Sequence, residues 1–196
     1  MDPHDPHSPD AVRGGRAFGA LFFAVFGGGW LALWAWRAFA SPLPVDAAIA
    51  VLTAILATIA WRIYRANAVA MRAGAETQQG RRQSRVFNLV NAGQWVVIVV
   101  LGNVLANTGL ADWVIPMAIF VIGLHFLPLA RLFANPPHYV TGAALMTLAA
   151  GYPFAARAGA ADPVGCLGAG LVLWASAGWA LRPGQGRLRT GANTPA

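Results

Sequence analysis

The chain has 196 residues, of which 57% are hydrophobic and 11% charged, and its formal net charge is +7. All 14 of its Lys/Arg-type residues are arginines, which excludes a retinal-type Schiff base and a Walker A phosphate loop, because both require a lysine amine. Cys166 is the only cysteine, so an intrachain disulfide is excluded as well.

Six apolar segments follow one another along the chain. A membrane-spanning helix needs roughly 20 mostly apolar residues, each rising about 1.5 Å. The six segments cover residues 17–36, 47–61, 86–111, 113–130, 139–156 and 163–181. This pattern predicts an all-α polytopic membrane protein, a bundle of six transmembrane helices over residues 17–182, with little chain left for a soluble domain.

The first 16 residues contain prolines, aspartates and histidines but little apolar surface. We expect a disordered cytoplasmic tail over residues 1–16 and a second one over residues 183–196. His4 and His7 could bind a metal weakly, but a flexible segment would lose much conformational entropy on ordering. We therefore favour a flexible tail and predict no metal site.

The arginines alternate between the two sides of the predicted bundle. Twelve of them precede the first span, join the second span to the third, or follow the fourth and sixth, whereas only Arg37 and Arg157 lie in the other loops. Under the positive-inside rule this distribution places both termini in the cytoplasm. We expect the partners to be the lipid bilayer and its anionic headgroups, worth roughly 1 kcal/mol per basic residue, and no nucleic acid.

Residues 66–85 form the longest predicted connector, and its end is polar and basic. It could dock a cytoplasmic partner. A solvated connector lying near anionic headgroups is the interpretation that we favour.

Three aspartates, Asp46, Asp112 and Asp162, each come directly before a span that starts from the outer side. A carboxylate at this position can accept hydrogen bonds from the free N–H groups of the first helical turn. We predict helix caps rather than a proton relay. Within the predicted spans there is no acidic residue.

Glycines and tryptophans inside the spans indicate how the bundle packs. The run Gly27–Gly29 lets a neighbouring helix approach closely or loosens the first helix. Trp95 and Trp174 fall near mid-span, with Trp30 and Trp34. They could stack on an organic ligand, but we favour packing within the bundle or against lipid.

The third span begins with Phe-Asn-Leu-Val-Asn-Ala-Gly-Gln-Trp, which places Asn88, Asn91 and Gln94 within about 120° of one helix face. Unpaired amides are costly in hydrocarbon, so this face is expected to meet protein or water.

The fourth span contains Gly-Leu-His-Phe-Leu-Pro-Leu-Ala-Arg, with His125 its only ionisable group before Arg131. Asn91 and His125 each lie six residues from a cytoplasmic arginine, about 9 Å deep. We predict a hydrogen-bonded cluster of His125 with Asn91 and with Gln94 or Asn88, beside a bend at Pro128. His125 could equally serve a substrate site or hold helices together, whereas for the amides we favour the structural role.

Two other polar side chains have no predicted role in binding or catalysis. His138, after Pro136-Pro137, lies at the interface and is too shallow to share a metal or haem with His125 unless the loop folds inward. Ser176 lacks the glycine pattern of a nucleophile elbow. We predict no catalytic residue and no cofactor.

The segment 87–131, with its Asn-Ala-Gly-Gln-Trp and Gly-Leu-His-Phe-Leu-Pro-Leu-Ala-Arg motifs, resembles small bacterial multi-pass membrane proteins without assigned activity. The resemblance implies a bacterial inner-membrane location and transfers no mechanism.

Two functions remain in view. The first is a small permease or channel-like protein whose substrate site is Asn88, Asn91, Gln94 and His125. The second is a non-catalytic membrane protein that associates with itself or with a membrane partner, its amides acting only as interhelical contacts. An intramembrane enzyme would need another ionisable group at the depth of the cluster, and the sequence offers none.

Overall fold

The computed structural model describes residues 8–182, and its regular structure there is helical throughout. The seven α-helices are α1 (Pro9–Ala38), α2 (Leu43–Ala66), α3 (Ala68–Glu76), α4 (Gln78–Asn107), α5 (Val114–Leu132), α6 (Pro137–Ala155) and α7 (Val164–Leu181). Single 3-10 turns precede α5 and α7, at Ala111–Trp113 and Gly159–Ala161. The prediction of an all-helical fold is confirmed.

Five of these helices, namely α1, α2, α4, α5 and α7, are long and apolar enough to cross a membrane. The predicted fifth span corresponds to α6, which has 19 residues. This helix is long enough but less hydropathic, because Pro137, His138 and Tyr139 occupy its first turn and two threonines follow further along it. The chain thus has the helices of a membrane protein.

The N-terminal boundary of the bundle differs from the prediction. α1 begins at Pro9, so residues 9–16, assigned above to a disordered tail, are helical. The Ser8 side chain accepts a hydrogen bond from the Ala11 amide, and a proline stands in the first turn, where its missing N–H costs nothing. The rest of that predicted tail, residues 1–7, and the predicted tail 183–196 lie outside the described residues.

The predicted connector 66–85 is also helical. It contains α3 and the first two turns of α4, which begins after the Thr77 cap. α3 packs against the start of α1, where a Cβ added to Gly14 would lie 2.8 Å from the Met71 side chain. This contact gives the N-terminal turns of α1 a partner and explains their order.

The bundle consists of two groups of helices. α1 packs along α7 and α2, and α5 packs along α6 and α4, while contacts between α6 and α7 join the two groups. α4 lies at the edge, and no residue in its membrane-length window is buried. The largest fully buried side chains, Ile119, Leu145 and Cys166, come from α5, α6 and α7.

Glycines set the closest helix crossings. A Cβ on Gly27 of α1 would lie 3.1 Å from the carbonyl oxygen of Gly170 on α7, and one on Gly123 of α5 would lie 2.9 Å from that of Gly142 on α6. Trp174 fills the space beside the first crossing and donates from Nε1 to the Ala24 carbonyl at 3.1 Å. Close approach at Gly27 and a packing role for Trp174 therefore match the interpretation of the sequence.

Candidate functional site

One end of the bundle collects most of the positive charge. The N-termini of α1, α4 and α6 lie there with the C-termini of α2, α5 and α7, and we call it the basic end. The described arginines of this end are Arg13, Arg16, Arg62, Arg65, Arg72, Arg81, Arg82, Arg85, Arg131 and Arg182. Arg37 and Arg157 belong to the opposite end.

The amides of α4 do not form the predicted cluster. Asn88 is exposed, and Asn91 and Gln94 are half-buried. Within the described residues, no hydrogen bond joins these three side chains to His125. Gln83, earlier on α4, instead donates from Nε2 to the Leu132 carbonyl of α5 at 3.3 Å. The cause is the edge position of α4, which leaves much of its surface without an opposing helix.

His125 nevertheless lies beside α4, near the level of Asn91. Its imidazole interacts with the backbone of Val90, the residue next to Asn91 on α4. Its Nδ1 atom is buried and has no hydrogen-bond partner among the described residues. His125 is therefore available for a ligand or a water, and its role in substrate binding stays a prediction, as do those of Asn88, Asn91 and Gln94.

His138 lies deeper than the sequence indicated. Its ring contacts Phe23 of α1 at 5.7 Å and Phe126 of α5 at 5.8 Å between centroids. The His125 ring lies 5.8 Å from the same Phe126 ring, so the two histidines flank one aromatic side chain. The first turn of α6 thus brings His138 to the same Phe126 ring that His125 contacts.

The connection between α5 and α6 is shaped by its backbone. Ala134 follows the end of α5 with a positive φ of 46°, and the Asn135 amide donates back to the Ala130 carbonyl at 2.9 Å. This is the usual left-handed helix end, here formed without glycine. It places the Asn135 side-chain nitrogen 3.4 Å from Nδ1 and 3.3 Å from Nε2 of His138.

A cavity of about 210 Å³ opens between α1, α6 and α7 at the basic end. Most of its wall is apolar, and its polar lining is supplied by Arg16, Asn135, His138, Thr141 and Ser176. A more open cavity of about 460 Å³ adjoins it and shares Arg16, Asn135 and Trp179. We call the two together the basic-end cavity. Concave, mostly apolar sites with a few convergent polar groups are the usual form of small-molecule sites.

Two hydroxyls close the inner wall of this cavity. Thr141 Oγ1 and Ser176 Oγ lie 2.8 Å apart across α6 and α7. Ser176 Oγ also lies 2.8 Å from the Val172 carbonyl oxygen, and Thr141 Oγ1 lies 3.2 Å from that of Pro137. One hydroxyl can therefore donate to its own helix while the other donates across to it. The interhelical polar contact that we predicted for α4 and α5 is thus made by α6 and α7.

Sequence reasoning missed this set of residues, although one signal was present. Thr141 lies four residues after Pro137, and Ser176 lies six residues before Arg182. The two hydroxyls are thus at similar, though not equal, distances from the basic ends of two successive antiparallel helices. Arg16 gave no such signal, because α1 and α7 are far apart in the sequence.

The opposite end carries a cap of the predicted kind. Asp162 accepts hydrogen bonds from the amides of Val164 at 3.0 Å and Ala158 at 3.2 Å. These bonds, with a smaller contribution from Arg37, hold the pKa of the Asp162 carboxyl below its usual value. Asp46 and Asp112 do not cap their helices in this way, since α2 and the turn before α5 have no side-chain cap hydrogen bond.

Arginine, imidazole, amide and hydroxyl groups around an apolar cavity can bind and orient a polar or anionic group. Over residues 8–182 no set of three His, Cys, Asp or Glu side chains is placed to hold a metal ion. No protein-family model, curated protein or solved structure matches this chain.

Proposed function

We propose that this chain is a small permease-like protein of the bacterial inner membrane, which binds its substrate in the basic-end cavity. The single observation that carries the proposal is the cavity of about 210 Å³ with Arg16, His138 and Ser176 in its wall. A mostly apolar concave site with a few convergent polar groups is the usual form of a small-molecule site.

For the topology we propose six spans with both termini in the cytoplasm. α6 has 19 residues and so reaches about 28 Å, close to the thickness of a hydrocarbon core. It lies against α5 and α7, both apolar enough to span. The arginines of the basic end support a cytoplasmic position for that end.

The substrate path that we propose starts in the basic-end cavity and continues toward His125. His138 lines the cavity and shares Phe126 with His125, whose Nδ1 is free for a hydrogen bond. Asn91 and Gln94 stand at the far end of this proposed path. There they contact water or substrate and do not bond His125 directly. A transported molecule would thus meet polar groups at successive depths.

A second function, membrane interaction without transport, is favoured by α4. Its membrane-length window contains no buried residue, and large apolar side chains such as Leu89, Val96 and Val100 are exposed on it. A helix so little covered by its own chain suits association with another membrane protein. In this case the basic-end cavity would stay dry.

The experiment is thiol labelling in sealed inside-out vesicles, on a Cys166→Ala background that removes the native, fully buried thiol. Position 176 is converted by Ser176→Cys, a near-isosteric change in the cavity wall. A membrane-impermeant maleimide should label it from the cytoplasmic side. Labelling of Asn91→Cys, measured in parallel, shows whether water also reaches the far end of the path.

The matched control is Leu171→Cys, on the same helix. Leu171 is 52% exposed in the structure but does not line the cavity, so lipid should shield it from the reagent. Labelling of position 176 without labelling of position 171 supports a water-filled cavity. Equal protection of both positions in folded protein would contradict the permease and leave the interaction function.

A further inference from the structure

We infer that the basic-end cavity binds a phosphate-bearing anion, with the phosphate on Arg16 and an apolar chain in the groove between α6 and α7. The inference rests on the proposed function, since it names the ligand class of the same site.

The positive charge of Arg16 has few partners within the protein. The side chain is half-buried, and its described hydrogen bond is a long one, from a terminal guanidinium nitrogen to the Trp179 carbonyl at 3.4 Å. Among the described residues, no aspartate or glutamate lines either part of the cavity. A guanidinium held in a mostly apolar wall without a carboxylate leaves most of its donors for an external anion.

Further donors surround the same place. Asn135 lines both parts of the cavity with Arg16, and its amide can donate to an anion as well as to His138. The guanidinium carbon of Arg182 lies 6.0 Å from the centre of the ring of Trp179, which lines both parts of the cavity, and adds a second positive charge to this region. Several donors converging from different helices suit a tetrahedral phosphate better than a planar carboxylate.

The shape of the cavity indicates that the ligand also has an apolar part. Val140 of α6 and Trp179 of α7 line it yet are exposed, so the cavity opens sideways on the surface that faces lipid. Inside, Phe23, Ala144 and Val172 form an apolar wall. The smaller part alone is below the roughly 300–1,000 Å³ of ligand pockets, but both parts together fall within it. A phosphate with one apolar chain matches this division of polar rim and apolar wall.

Two sources could supply this chemistry: the headgroup of a membrane phospholipid, for which basic pockets between helices are suited, or a soluble phosphate compound. The test uses the Cys166→Ala, Ser176→Cys protein in nanodiscs of digalactosyldiacylglycerol, a neutral lipid without phosphate, and follows the rate of maleimide labelling at position 176. The probes are decyl phosphate, inorganic phosphate and added phosphatidylglycerol, with decyl trimethylammonium as the cationic chain control.

We expect decyl phosphate to slow the labelling about tenfold and the cationic control to leave it unchanged. Arg16→Gln should abolish the protection, whereas Arg13→Gln, one turn away on α1 and outside the cavity lining, should retain it. Protection by phosphatidylglycerol identifies the lipid as the source, and protection by inorganic phosphate identifies a soluble compound.

Normal labelling that no phosphate slows would overturn the inference and leave the proposed function in place. The same holds if Arg16→Gln and Arg13→Gln weaken protection equally, because surface charge alone would then explain it. Absence of labelling at position 176 without any probe would instead contradict the water-filled cavity and overturn both proposals.

Discussion

The hydroxyl oxygens of Thr141 and Ser176 lie 2.8 Å apart and join α6 to α7 at the depth of the cavity. Each hydroxyl has one hydrogen, which it can donate either to the other hydroxyl or to the carbonyl of its own helix, but not to both at once. Whichever hydroxyl donates across the helices, the oxygen of the other can accept. This arrangement holds the cavity wall in place and can adapt when a ligand arrives.

A double-mutant cycle should measure this contact. Thr141→Val and Ser176→Ala each remove one hydroxyl, and we expect a coupling energy of about 0.6 kcal/mol between them, typical of hydrogen bonds between membrane helices. The measurement is the free energy of unfolding of the single and double variants in detergent. Additive effects would mean that the two hydroxyls are held only by their own helices.

The crossing of α1 and α7 should be sensitive to one methyl group. A Cβ at position 27 would lie 2.5 Å from Trp174 Cδ1, so we expect Gly27→Ala to lower the free energy of unfolding by about 1–3 kcal/mol. Gly29→Ala, two residues further on the same helix, is the control, because nothing lies within 4 Å of its added Cβ. Equal effects at both positions would refute the close crossing.

The connection from α5 to α6 stores a small backbone strain. Ala134 has a φ of 46°, which glycine adopts without a steric penalty. Ala134→Gly should stabilise the protein by up to about 1 kcal/mol, after the larger chain entropy of glycine in the unfolded state is included. Ala156→Gly, at the end of α6 with a φ of −82°, should destabilise it instead. Thermal unfolding of both variants checks the opposite signs.

The helices themselves could be predicted because each apolar run is long enough to need a helix in a membrane, whatever its neighbours. The close helix approach at Gly27 could be predicted because it depends only on the absence of a Cβ at that position. The start of α1 could not be predicted. Its first turns are stabilised by Met71 of α3, and nothing in residues 9–16 indicates that partner.

The site was predicted only in part, because periodicity tells which side chains share a face but not which helix covers that face. Asn88, Asn91 and Gln94 share the expected face of α4, yet α4 lies at the edge of the bundle. The basic-end cavity combines Arg16, His138 and Ser176 from three helices. Their meeting depends on the packing of α1 between α2 and α7, which the order of the spans does not determine.

The turn between α6 and α7 should depend on pH. The amides of Val164 and Ala158, which bond the Asp162 carboxylate, lower its pKa below the usual value of about 3.9. A lowered pKa in the folded state means that this stabilisation is present above the usual pKa and is lost as the pH falls through the lowered one. We expect the Ala158 and Val164 amides to exchange with solvent faster, relative to neighbouring amides, below that pH.

Hydrogen exchange followed by NMR measures this effect. Asp162→Ala should remove the protection of both amides at every pH, whereas Asp10→Ala, in the first turn of α1 at the opposite end of the bundle, should leave them unchanged. A pH dependence that persists in Asp162→Ala would show that another group controls the turn.

The amides of α4 give the sharpest contrast between the two interpretations of the sequence. If Asn91 and Gln94 held the bundle together, Asn91→Leu and Gln94→Leu would each cost a hydrogen bond. Because neither amide bonds a neighbouring helix within the described residues, we expect both changes to alter the free energy of unfolding by less than about 0.5 kcal/mol. Under the proposed function the same variants should slow uptake of the substrate into vesicles, since they remove polar groups from its path. A loss of stability of 1 kcal/mol or more in Asn91→Leu would return this residue to a structural role and remove it from the substrate path.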